Sequence, residues 1–176
     1  VAVGYGGRIL TSTNGVTWVA HSVSLNGWLN AVAHGNGLFV AVGDNGAIFT
    51  SPDGASWNRR SSPTSVYLNS VAFGNGTFVA VGGAGTILAS TDGAAWSSRN
   101  SGQSGYLNFA SYGGGLFVVA GGTTILSSAD TLTWVESPSS IPPTSGYIAG
   151  LSYGNGTFVG VVYPAGLKTV TSIDGL

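Results

Sequence analysis

The sequence predicts an all-β fold, a β-propeller or an arc of one, made of four-stranded antiparallel blades that repeat about every 39 residues. Three observations carry this expectation. Trp18, Trp57, Trp96 and Trp134 are spaced 39, 39 and 38 residues apart. An apolar run recurs in step with them: Val1-Ala2-Val3-Gly4, Phe39-Val40-Ala41-Val42-Gly43, Phe78-Val79-Ala80-Val81-Gly82, Phe117-Val118-Val119-Ala120-Gly121 and a drifted Phe158-Val159-Gly160-Val161-Val162. Turns rich in Gly, Asn and Asp punctuate every unit at the same places.

Each unit resolves into four strands, A to D. Strand A is typified by Tyr67-Leu68-Asn69-Ser70-Val71-Ala72-Phe73, with counterparts beginning at Trp28, Tyr106 and Tyr147. The turns Gly35-Asn36-Gly37, Gly74-Asn75-Gly76, Gly113-Gly114-Gly115 and Gly154-Asn155-Gly156 follow. Asn and Gly supply the positive φ that tight hairpins need. Strand B is the apolar run, and its apolar residues at consecutive positions predict burial on both faces. Strand C reads as Ala47-Ile48-Phe49-Thr50 or Thr86-Ile87-Leu88-Ala89, and a third turn, Asp53-Gly54 or Asp92-Gly93, leads to strand D carrying the tryptophan. No segment shows sustained helical periodicity with caps. Pro52, Pro63, Pro138, Pro142, Pro143 and Pro164 all fall in the expected turns or loops, where a missing donor does no harm. One domain is expected over residues 1–176, in units of about 1–18, 22–57, 61–96, 101–134 and 145–176.

Composition narrows the function classes. Apolar residues make up 43% and charged residues only 6%, far from the charge-rich profile of disordered chains. The formal net charge is −1, Arg59-Arg60 is the only adjacent basic pair and Lys168 the sole lysine. Nucleic acid binding, which needs clustered cations to release counterions, is not expected. There is no cysteine, hence no disulfide or thiolate chemistry. No apolar run approaches the length of a spanning helix and no basic-then-apolar leader opens the chain, so membrane insertion is not expected. The chain opens at Val1 without a methionine and is expected to be processed, excised or only partly included. Surfaces this poor in charge repel weakly and favour association.

The turns Ser51-Pro52-Asp53-Gly54-Ala55-Ser56-Trp57 and Ser90-Thr91-Asp92-Gly93-Ala94-Ala95-Trp96 share the pattern Ser-x-Asp-Gly-x-x-Trp. Ser12 to Trp18 has Asn14 for the Asp, Ser128 to Trp134 keeps Asp130 without the Gly, and Ser172-Ile173-Asp174-Gly175 closes the series. This resembles the Asp-box (BNR-like) repeats of sialidase-like β-propellers, and similar repeats occur in photosystem II assembly-factor propellers and bacterial surface proteins. The family spaces its Asp and Gly by one residue, whereas here they are adjacent, which suggests a tighter hairpin. The resemblance implies a propeller with the Asp turns on the face away from any active site. Asn14, Asp53, Asp92, Asp130 and Asp174 are therefore read as structural, each accepting backbone N–H bonds within its own turn.

Sialidase-like catalysis would need three arginines, a Tyr–Glu nucleophile pair and an acid. The chain has one glutamate, Glu136, and four arginines, Arg8, Arg59, Arg60 and Arg99, so no catalytic residues are assigned and no enzyme is expected. His21 and His34 stand thirteen residues apart without ligand-spaced partners, and Asp44-Asn45-Gly46 has Gly83-Ala84-Gly85 as its counterpart. No metal and no cofactor are expected. The candidate ligand-binding residues are the aromatics opening strand A (Trp28, Tyr67, Tyr106, Tyr147) with Asn30, Asn69 and Asn108 two positions on. Period-two alternation would put each aromatic and its Asn on one face, at the mouth of the channel. The competing reading has the aromatics packed between blades and the amides tying neighbouring A strands together. Arg59, Arg60 and Arg99 lead into variable D-to-A loops, the longest running from Ser137 to Ser145, where binding residues commonly lie. Asn75-Gly76-Thr77 and Asn155-Gly156-Thr157 match the glycosylation sequon, though Asn-Gly already has a conformational reason to stand there.

The first unit reads as strands B, C and D and the last as A, B and C, giving three whole blades and two incomplete ones. Such a chain is expected to be an arc of a larger ring, or to be completed by another copy through its end blades. The functional expectation is a non-catalytic recognition or scaffolding module, extracellular, at the cell surface or periplasmic, with a protein partner or a glycan. A lectin using the strand A aromatics and a fragment of a sialidase-like hydrolase are the alternatives.

Overall fold

The computed structural model describes residues 1–137, 146–164 and 168–172. Within them lie five antiparallel sheets. The first holds β1 (Ala2–Val3), β2 (Arg8–Thr11) and β3 (Val19–Ser22). The second is β4 (Leu29–Gly35), β5 (Leu38–Gly43), β6 (Ile48–Ser51) and β7 (Asn58–Arg60); the third is β8 (Leu68–Gly74), β9 (Thr77–Gly82), β10 (Ile87–Ser90) and β11 (Ser97–Arg99). The fourth holds β12 (Phe109–Gly113), β13 (Leu116–Gly121), β14 (Thr124–Ser128) and β15 (Val135–Glu136), and the fifth β16 (Gly146–Gly154), β17 (Thr157–Pro164) and β18 (Lys168–Ser172). Strand order in every sheet follows chain order, so each is an up-and-down meander. Three four-stranded blades flanked by two three-stranded ones is the architecture the repeat predicts.

The hairpins follow from their residues. Asn75 and Gly76 take φ of 45° and 72°, and Asn36-Gly37 and Asn155-Gly156 do the same. Gly74 pairs with Thr77, leaving a two-residue loop with both central φ values positive, the geometry Asn-Gly favours. In the third turn Ser51 and Asp53 share the work. The Ser51 hydroxyl donates to Asp53 Oδ1 (2.9 Å) and accepts from the Gly54 N–H (2.8 Å), while Asp53 Oδ1 accepts from the N–H groups of Ala55 (2.9 Å) and Ser56 (2.8 Å). The indole N–H of Trp57 then donates to Gly54 O (2.8 Å). Ser90-Asp92 and Ser128-Asp130 repeat the Ser and Asp contacts. Where Thr131 replaces the glycine, φ is still 62° and the buried Trp134 indole N–H has no partner.

The core lies between sheets rather than within one. Ile9 packs with Leu29, Ala41 and Phe49; Val40, Val42 and Ile48 pack with Leu68, Phe78, Ala80 and Leu88. Val79, Val81 and Ile87 pack with Leu107, Phe117, Val119 and Leu126, and Ala120 packs with Ile148 and Val162. Each inner sheet thus gives one face to the sheet before it and the other to the sheet after. Strand B is for this reason buried on both sides, each large side chain contributing about 1.5–3 kcal/mol. Backbone bonds reinforce the stack: the N–H groups of Leu29, Leu107 and Ile148 donate to the carbonyls of Gly4 (3.1 Å), Gly82 (2.9 Å) and Gly122 (2.8 Å) in the preceding sheet. The glycine ending each A strand adds to it. Gly35, Gly74 and Gly113 lie directly against the rings of Phe73, Tyr112 and Tyr153 in the next sheet, leaving no room for a Cβ.

Three expectations are corrected. Trp18, Trp57, Trp96 and Trp134 precede strand D instead of lying on it, and in the first three the indole N–H donates to the carbonyl of the turn glycine. Pro164 is the last residue of β17, paired with Gly146, rather than part of a loop. The third A strand begins at Phe109, later than Tyr106, although the Asn108 N–H still donates to Ala120 O (2.8 Å). Asp174, Pro138, Pro142, Pro143 and residues 139–145 lie outside the described residues.

Candidate recognition face

The antiparallel register brings the start of each A strand to the same end of its sheet as the finish of strand B, since Leu29 pairs with Gly43 and Leu68 with Gly82. The Asp turns lie at the opposite end. At the A-strand end stand Trp28, Tyr67, Tyr106 and Tyr147, and beside them Tyr5 and Tyr163, all between 37% and 62% exposed. They form three ring pairs: Tyr5 with Trp28 (5.2 Å between centroids), Tyr67 with Tyr106 (6.0 Å) and Tyr147 with Tyr163 (5.8 Å). The first two pairs bridge neighbouring sheets. Desolvation, and then the hydrogen bond and charge of Tyr106, raise the Tyr67 phenol above its ordinary range.

Tyr5 and Tyr163 were not among the residues singled out from the sequence. The signal was present. Both follow the strand B run, at the position held by Asp44, Gly83 and Gly122 in the inner units. Asp44 uses that position differently: its carboxylate accepts the Trp28 N–H (2.8 Å), and its own N–H donates to Trp28 O (2.9 Å). That double tie fixes the loop presenting Trp28.

The asparagines behave otherwise than alternation suggests. The pairing register slips by one between Leu29 and Ala31 and again between Leu68 and Ser70, so Asn30 and Asn69 each occupy a bulge. A bulge breaks the period-two rule, and the amides do not join the aromatics. Asn30 Nδ2 donates to Leu68 O (2.9 Å), and Asn69 Nδ2 to Leu107 O (3.2 Å) and Asn108 Oδ1 (2.9 Å), in each case on the next sheet. The amides are ties between A strands, while the rings stay open to solvent.

The arginines stand apart from both. Arg60 and Arg99 pair with Ile48 and Ile87 on the outermost strands, two strands beyond the A–B pair. With strands ~4.8 Å apart that is roughly 14 Å from strand A. Arg60 Nε donates to Thr50 Oγ1 (2.8 Å), and the Arg59 guanidinium lies 5.9 Å from the centre of the Phe49 ring. Arg99 Nε is buried without a hydrogen bond. Asn45, Arg59, Arg60 and Thr64 line a separate shallow groove of about 450 Å³.

Among the described residues no three of His, Asp and Glu converge as metal ligands would. His21 shares a hydrogen bond with Thr11 Oγ1 (3.0 Å), and His34 lies in strand A, not a turn, its ring 4.4 Å from that of Phe39. Glu136 accepts from the Gln103 amide (3.1 Å) at the rim. Among the described residues no helix is long and apolar enough to cross a membrane.

The family model described as the DUF6242 beta propeller domain matches residues 30–142 of the chain. Solved structures share the fold. YCF48 bound to D1 peptide has 18% identity and a TM-score of 0.71, over 97% of this chain and 60% of that one. YCF48 from Cyanidioschyzon merolae has 16% identity and a TM-score of 0.67, over 93% and 61% respectively. The WD40 β-propeller domain of Doa1 has 17% identity and a TM-score of 0.71, over 96% and 59%. The chain therefore spans about 60% of the length of these propellers. No curated protein matches it.

Proposed function

The chain belongs to the DUF6242 β-propeller domain family, and on that premise we propose that it is a non-catalytic recognition module that binds a protein partner through the aromatic end of its sheets. The observation that carries this reading is the set of three exposed ring pairs, two of them spanning neighbouring sheets. Exposed Tyr and Trp offer large contact area at small conformational cost, which suits them to the centres of interfaces. The placement of the polar groups favours protein over sugar. A sugar site needs oriented donors and acceptors beside its stacking rings. Here the amides of Asn30 and Asn69 are spent on carbonyls of the adjacent sheets. A mostly apolar, ring-lined surface suits a peptide better, and the similar YCF48 propeller is known bound to a peptide.

The absence of catalysis is part of the proposal. The carboxylates of Asp53, Asp92 and Asp130 are committed to turns at the far end of the sheets, and Glu136 is engaged by Gln103 on the rim. A setting outside the cytoplasm, suited to so few charges, also belongs to the proposal and is testable by fractionating the source cells.

The deciding experiment selects displayed peptides on the purified chain and runs a glycan array on the same sample. Selected peptides that no longer bind the Tyr67→Ala/Tyr106→Ala variant, with its melting temperature unchanged, support the reading. Glycan hits lost in that variant, with no peptide selected, would replace it by the lectin.

A further inference from the structure

The formal charge of −1 hides how the fold distributes its charges. Arg8 and Lys168 open β2 and β18, while Arg59, Arg60 and Arg99 stand at the finish of β7 and β11. In each sheet these strand ends lie at the aromatic end, so all five cations of the chain gather there. Only two carboxylates join them: Asp44, which accepts the Trp28 N–H, and Glu136, which accepts from the Gln103 amide. Five cations against two carboxylates leave an excess of three positive charges. The turns of Asp53, Asp92 and Asp130 give the far end three negative charges, with no cation among the described residues.

The second sheet concentrates the positive charge. Arg59 and Arg60 stand side by side where the other units have Ala20-His21, Ser98-Arg99 and Glu136-Ser137, so the repeat does not demand the pair. Their contacts among the described residues are neutral: the Thr50 hydroxyl for Arg60 and the Phe49 ring for Arg59. Both wall the groove of about 450 Å³, together with Asn45, Ser62 and Thr64, and no acidic residue lines it. Ser62 Oγ accepts the Thr64 N–H (3.4 Å) and Thr64 Oγ1 the Val66 N–H (3.1 Å), so each hydroxyl keeps its hydrogen to donate. Gly46, at φ 65°, lies directly against the Thr64 carbonyl and holds the two loops of the groove together. Thr64 is three residues before Tyr67, at most about 11 Å along the chain, so one short peptide can reach both. Fixed positive charge and hydroxyl donors suit a carboxylate ligand. Resting on the peptide-recognition reading above, we propose that the partner is an acidic peptide. An Asp or Glu within about four residues of the one on the Tyr67 and Tyr106 rings seats its carboxylate in this groove.

The test selects a random displayed peptide library on the purified chain. One selected peptide and its neutral analogue, with Asn and Gln for Asp and Glu, are then titrated into wild type and Arg59→Gln/Arg60→Gln. Selected peptides should be richer in Asp and Glu than the library. The acidic peptide should lose about tenfold in affinity on the arginine variant, and the neutral analogue should bind both proteins alike. Raising salt from about 50 to 500 mM should weaken the acidic peptide more than its analogue. Arg59→Gln alone, at an exposed position, serves if circular dichroism shows the double variant misfolded. Peptides without an acidic excess, or an acidic peptide indifferent to the arginine variant, overturn the proposal while leaving ring-dependent binding intact. Peptides that need the arginines but not Tyr67 and Tyr106 sink the ring-based reading instead and support the carboxylate seat. A library that yields no binder overturns both.

Discussion

Asp53 shows how a turn residue acquires chemistry without acquiring catalysis. The backbone N–H groups of Ser56 and Ala55, then the Ser51 hydroxyl, stabilise its carboxylate and lower its pKa from the ordinary 3.8 to about 2. Asp92 and Asp130 are lowered by the same kinds of bond. Because the folded pKa lies below the unfolded one, the stabilisation is complete above pH ~4 and is lost as pH falls towards ~2. The melting temperature is accordingly expected to drop across that window. Asn14 supplies an internal control, since its neutral Oδ1 accepts from the Val16 and Thr17 N–H groups (2.9 Å each) in the same geometry. Asp53→Asn should keep the turn and weaken the acid dependence, whereas Asp53→Ala should lower the melting temperature at neutral pH. Equal pH profiles for Asp53→Asn and wild type would show that this carboxylate is not part of the acid response. That Asp recurring once per repeat is a turn device was legible in the sequence, because Asp beside Gly and four residues before Trp has an obvious local use. The bulges at Asn30 and Asn69 were not legible: they arise from carbonyls 38 residues away, which local alternation does not register.

At the scale of elements, the strands and hairpins could be read in advance because their causes are local. Asn-Gly sets the hairpins, and consecutive apolar residues mark a strand covered on both faces. Contacts between repeats could not be read in the same way. The glycine ending each A strand looks like hairpin punctuation, yet Gly74 is also the flat seat on which the Tyr112 ring rests. Gly74→Ala is expected to cost about 1–3 kcal/mol, the usual penalty for overpacking a filled core, in urea unfolding. The equivalent Gly154 meets nothing within 4 Å, so Gly154→Ala should be close to neutral. Similar losses in both would place the cost in the hairpin rather than in the junction between sheets. Larger cuts follow the same logic: Phe78, wholly buried between the second and third sheets, should cost about 3–5 kcal/mol as Ala.

For the whole molecule, the architecture follows from one requirement. No sheet of this repeat covers its own two apolar faces, so sheets stack, and stacking lines up the ends of their strands. One end collects tight Asp turns tied to their own backbone. The other collects loops and the ring pairs, and is free to vary. The four strand A aromatics were visible in the sequence by their regular recurrence. Tyr5 and Tyr163 share a repeat position but are aromatic only in the outer units, and their partnership with Trp28 and Tyr147 needs the fold to bring B-strand ends beside A-strand starts. The recognition reading is tested most directly by calorimetric titration of one display-selected peptide into three proteins: wild type, Tyr67→Ala/Tyr106→Ala, and Leu132→Ala, whose exposed side chain lies in a turn at the opposite end. The expected result is an affinity reduced at least tenfold, about 1.4 kcal/mol, in the double variant and unchanged in Leu132→Ala. Equal affinity in all three proteins would contradict a partner-binding role for the aromatic end.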